Sequence, residues 1–168
     1  MNKDKISFEE AIAYTQSLFT DDNLQEEEIA RGIRDLVATE NGARGFFVTY
    51  LTQENLPDNH PPYLIIALKS SPEIVSELLV KNLAMSTAMA ITHRRQNNEE
   101  MAQRSRNVIQ RTTQLIQLLE LEQITTKLTQ MRESATTDQG NYSTFLHRWG
   151  YDKEQKQVIE EKMTQLLN

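Results

Sequence analysis

Apolar positions along this chain recur mostly at three- and four-residue intervals, the spacing that lines one face of an α-helix. Ser7 followed by Glu10 reads as a capping box, and Phe8, Ala11, Ile12, Thr15, Leu18 and Phe19 then share a face. The first helix is expected to run to about Thr20. Asp21 and Asp22 offer the next cap, Ile29, Ile33, Leu36 and Val37 the next stripe, and Asn41-Gly42 a stop, so a helix pair is expected over residues 7–40.

The texture changes after Gly45. Phe46 to Thr52 and Tyr63 to Leu68 are dense in aromatic and β-branched residues, which favour strands. Both runs carry apolar residues on either face of a strand, with Phe46 and Val48 opposite Phe47 and Leu51, and Tyr63 and Ile65 opposite Leu64 and Ile66. The pattern predicts an antiparallel β-hairpin over 44–70. A two-stranded sheet that is apolar on both sides needs cover from helices of the same chain or from a second copy, and a homodimer is therefore expected.

Ser71-Pro72-Glu73 opens the next helix, with proline at the first helical position. From Ile74 to Ile91 that helix is apolar on most sides and is the expected buried centre. Residues 98–136 contain no proline or glycine, but a single helix of that span would be roughly 55–60 Å long, too long for one domain of this size. The apolar phase shifts between Met101, Val108, Thr112, Leu115, Leu119 and Leu121, Ile124, Leu128, Met131, Ala135, so a break is expected near Leu119 to Glu122, or else a protruding helix. Central helices thus occupy 72–136. A polar turn leads to C-terminal helices over 142–168, where Gly150 stops a short aromatic segment and Asp152 caps the last helix. The predicted class is α+β with helix predominating, in a single domain spanning 1–168.

Composition narrows the functional classes. An apolar share of 38% with 25% charged residues suffices for a core and excludes wholesale disorder. Cysteine is absent, which removes disulfides, thiolate zinc sites and thiol nucleophiles together. The start lacks the apolar run of a secretory signal and no segment reads as a transmembrane span, so a cytoplasmic protein away from membranes is expected. Residues 1–40 hold ten acids against four bases, whereas 93–111 hold five arginines against two glutamates. A formal net charge of -6 argues against sequence-independent nucleic-acid binding, which needs a cationic surface.

The motif search is mostly negative: there is no glycine-rich phosphate loop and no Gly-x-Ser-x-Gly elbow. His60, His93 and His147 lie in separate segments, none at metal-ligand spacing, so neither metal nor cofactor is expected. Four places remain. Asp58 and His60, in the proline-rich stretch 53–62, suit an acid–base pair or a ligand contact; the favoured reading is a proline-stiffened connector whose polar residues satisfy turn backbone. His93, Arg94, Arg95, Arg104, Arg106 and Arg111 suit an acidic protein surface or RNA, or form a solvated helix face paired with the acidic first helices. His147, Arg148 and Trp149, with Tyr142, Phe145 and Tyr151, have hot-spot composition, but Phe145 and Trp149 also suit a segment pinning the last helix to the core. Asn82, Ser86, Thr87 and Thr92 interrupt the central helix, either at a pocket or bonded back to helical carbonyls.

The resulting expectation is a non-enzymatic binding, adaptor or assembly factor acting through the apolar hairpin and complementary charged helices. The alternatives are a small-molecule site or enzyme between hairpin and central helix using His60, Asp58 or His147, and an RNA-binding accessory protein using the arginines.

Overall fold

A computed structural model describes residues 5–54 and 60–168. The described residues are helical and contain no strand: α1 (Phe8–Thr20), α2 (Glu26–Val37), α3 (Glu40–Leu51), α4 (Pro62–Leu68), α5 (Pro72–Arg95), α6 (Glu99–Leu119), α7 (Glu122–Thr137), α8 (Ser143–Arg148) and α9 (Lys153–Leu167). The predicted hairpin over 44–70 is therefore replaced by α3 and α4, and the class is all-helical rather than α+β.

The reason lies in which residues are buried. In α3 these are Gly42, Ala43, Gly45, Phe46, Phe47, Tyr50 and Leu51, and 43-46-47-50-51 is the spacing of a helical stripe. Val48, which a two-sided strand would bury, is 43% exposed. The strand-favouring residues are accommodated by back-bonding: Thr49 Oγ1 donates to the Gly45 carbonyl and Thr52 Oγ1 to that of Val48. Thr39 caps the helix by accepting from Gly42 N–H at 3.1 Å, so Asn41-Gly42 starts α3 rather than stopping α2. In α4, Pro62 stands at the first turn, Leu64, Ala67 and Leu68 face inward, and Ile66 is 66% exposed. Fully burying Phe46 and Phe47 is worth about 1.5–3 kcal/mol each.

Several local expectations agree with the structure. Ser7 and Glu10 form their reciprocal capping box, and Asp152 caps α9 with Gln155 completing a second one. The break after Leu119 occurs at Glu120, whose left-handed backbone (φ 49°) separates α6 from α7. The cap of α2 differs. Gln25 fills it, paired with Glu28, while Asp21 binds the Asn23 amide in the turn before.

The helices form two groups on a spine. α5 and α6 make a long hairpin; α1 to α4 cluster together, with α1 on α3 and α2 against α3 and α4, and reach it through α3 and α4; α7 and α9 pack on each other and on α5, with α8 against α7. A single apolar core joins them. Gly45 permits the α1–α3 approach, since a Cβ there would lie 2.4 Å from that of Ala11 and 2.9 Å from the Phe8 carbonyl oxygen. Contrary to the expectation from composition, α5 is long and apolar enough to cross a membrane, but half of its most apolar stretch is buried among its neighbours. It serves here as the core helix, as its position in the sequence pattern suggested.

Candidate functional site

The arginine segment is largely self-neutralised, though not by the acidic first helices. At the end of α5, Arg95 donates to Asp152 at 2.5 Å and to Glu154 at 2.9 Å, and Arg94 to Glu154 at 2.8 Å. The paired guanidinium holds the Asp152 and Glu154 carboxyls below their usual range. Arg104 pairs with Glu100 one turn away, and Arg106 with Glu99. Arg111 is half-buried and donates to the Leu51 carbonyl at 2.8 Å, tying α6 to the end of α3. These five guanidiniums hold the molecule's own groups, and they do not share one face.

The same corner contains Gln155, whose amide donates to the Ala88 carbonyl at 3.1 Å and to Thr92 Oγ1 at 2.9 Å. Of the polar residues within α5, Thr87 bonds back to the Leu83 carbonyl, Thr92 receives Gln155, and Asn82 and Ser86 are half-buried at the boundary.

A second polar cluster, not foreseen from the sequence, locks α7 and α8 to α5. Tyr142 donates its phenol to Glu77 at 2.7 Å, and Lys127 reaches both Glu77 (2.9 Å) and Glu73 (2.7 Å). Burial pushes the Glu77 carboxyl up, but Lys127, Tyr142 and Lys81 together outweigh it, and the net shift is downward. Burial and the Glu77 carboxylate both push the Tyr142 phenol up. Every charge here has a partner, so the cluster acts as a clasp.

His60 is buried, and its Nδ1 lies 2.6 Å from the Tyr50 hydroxyl. Its intended partner Asp58 lies outside the described residues. Tyr50 was not singled out from the sequence, because its apolar neighbours mark it as core. The helical stripe 43-46-47-50 was the signal that could have placed it beside α6.

The corner between α8 and α9 differs from all of these. Leu146 is buried, flanked by buried Tyr142 and Tyr151, and Phe145 is half-buried with the Lys81 ammonium 5.6 Å over its ring. Burial pushes the Tyr151 phenol up to about 12. Trp149, expected in the core beside Phe145, is instead 52% exposed. One inward position was available on so short a helix, and Leu146 holds it. The side chains of His147 and Arg148 are exposed and carry no hydrogen bond or ion pair among the described residues. Gly150, at φ 65°, turns the chain into α9 directly after the tryptophan. His147 and His60 lie in different groups of helices and form no joint site.

Fold and corner together define an all-helical domain with an aromatic–cationic surface at the α8–α9 corner. The chain belongs to the family described as "Uncharacterised conserved protein UCP020893", whose model matches residues 7–166. No curated protein and no solved structure matches it.

Proposed function

We propose that this protein is a non-enzymatic binding factor that docks a partner protein through the α8–α9 corner, with Trp149 as the anchor. The observation that carries this reading is the 52% exposure of the only tryptophan in the chain. An indole left in water beside an unpaired Arg148 and His147 has the composition of an interface hot spot, where a large rigid ring and a fork of donors are desolvated together. The matching surface is an apolar recess edged by carboxylates.

Two grounds of the earlier expectation change. The argument for a homodimer came from a two-sided apolar hairpin that the fold lacks. The complementary charged helices are replaced by ion pairs within the chain, leaving Arg148 as an unpaired cation at this corner, free to serve a partner. Among the described residues there is also no group of three histidine, cysteine or acidic side chains placed to hold a metal ion.

The test is a mild-salt pull-down of the tagged protein from its native lysate, with quantitative mass spectrometry. Trp149→Ala with Arg148→Glu is compared against Arg104→Glu, a control that disturbs only an exposed pair with Glu100. A stoichiometric protein lost with the first variant and kept by the control supports the proposal. Equal recovery from both, or no co-eluting protein, overturns it.

A further inference from the structure

Tyr50 ends α3 and His60 stands just before α4, and both side chains are buried. Their 2.6 Å hydrogen bond ties the root of α4 to α3. With the ring neutral, the phenol donates to Nδ1 and the ring proton sits on Nε2, which is buried and meets no acceptor in good hydrogen-bond geometry, the Gln114 side chain and the Arg111 main chain lying close enough to act on the ring. The surroundings disfavour a second proton. From α3 comes only the Tyr50 phenol, which burial keeps neutral. From α6 come Gln114 and the Arg111 guanidinium, a like charge to an imidazolium. Tyr63 of α4 acts on the Tyr50 phenol, and Glu26 of α2 in turn acts on Tyr63. Among the described residues no carboxylate bonds the ring. Burial and Arg111 lower the readiness of His60 to protonate, countered in part by Gln114 and the Arg111 main chain.

We propose that His60 is an acid-sensitive latch, whose protonation reverses the sense of the Tyr50 bond and releases α4 from α2 and α6. A protonated Nδ1 donates to the phenol oxygen, and the phenol proton must then find another acceptor in a buried site. The element that yields is α4. It is seven residues long, its root is His60 itself, and its outer face already carries Ile66 at 66% exposure. α3 and α6 are held by Phe46, Phe47 and Leu115 in the core. Opening exposes Leu64, Ala67 and Leu68, so that acid uncovers an apolar strip without unfolding the spine.

Hydrogen exchange at about pH 7.5 and about pH 5, either side of the ordinary imidazole range, tests this in wild type and in His60→Gln, with His60→Leu as the variant of choice where Gln fails to fold. After correction for intrinsic rates, α4 amides of the wild type lose roughly tenfold of their protection at the lower pH. Amides of α5 keep theirs, and the variant shows no such loss. Unchanged α4 protection, an equal loss in the variant, or a loss shared with α5 in one global transition overturns the latch.

Discussion

The Tyr50 hydroxyl and His60 Nδ1 meet at 2.6 Å inside the core, joining the end of α3 to the start of α4. Tyr50→Phe leaves a buried ring nitrogen without its donor, and a loss of about 1–2 kcal/mol is expected in urea denaturation. The pH dependence has a definite sign. The folded-state pKa of His60 lies below the unfolded one, so its contribution is complete above the unfolded value and is lost as pH falls through it towards the folded value. The wild-type urea midpoint therefore drops more than that of His60→Gln between about pH 7.5 and about pH 5.

Gly45 and Gly150 are needed for different reasons. Gly45→Ala gains about 1 kcal/mol of helix propensity, but its methyl meets Ala11 and the Phe8 main chain, and a net loss of about 1–2 kcal/mol is expected. Gly150 has open space around it but a left-handed backbone, so Gly150→Ala costs about 1 kcal/mol through strain alone. Asparagine separates the two: thermal melts should show Gly150→Asn milder than alanine there, and Gly45→Asn worse.

Gln155 links the start of α9 to the last turns of α5 with two side-chain hydrogen bonds and also completes the Asp152 capping box. Gln155→Leu removes all three and leaves Thr92 and the Asp152 amide seeking water. A loss of about 1–3 kcal/mol is expected. Chemical denaturation measures it, and raising salt, which screens the neighbouring Arg95 pairs, should not reproduce it.

The carboxyl of Glu77 sits below its ordinary range because Lys127, Tyr142 and Lys81 outweigh its burial. Its contribution is present above the unfolded carboxylate pKa and lost as pH falls through the folded one. Acid titration followed by circular dichroism should show the wild type losing more stability than Glu77→Gln from about pH 5 downward. Equal slopes for the two proteins would show that the clasp is energetically silent.

Trp149→Ala is expected to change stability by no more than about 0.5 kcal/mol, because the ring is not part of the core. As the chain holds one tryptophan, its fluorescence reports this corner alone. Acrylamide should quench it readily in the free protein and much less once a partner is bound. Strong protection in the isolated protein would contradict the exposure seen at α8.

Much of the helical scaffold was determined by local sequence: the capping boxes at Ser7 and Asp152, Pro72 at the head of α5, and the phase shift that breaks the chain at Glu120. These signals need only neighbours three or four residues away, and so they survive being read one segment at a time. Phe46 to Leu51 and Tyr63 to Leu68 did not, because aromatic and β-branched residues lean towards strands while their burial on α1, α2 and α5 demands a helix, and tertiary packing outweighs that modest preference. Only the folded chain could decide the rest. Arg94 and Arg95 find Asp152 and Glu154 more than fifty residues away, His60 finds Tyr50, and Leu146 takes the inward place that leaves Trp149 in water. Which charges are neutralised and which ring stays exposed depends on distances in space, and local spacing does not encode them.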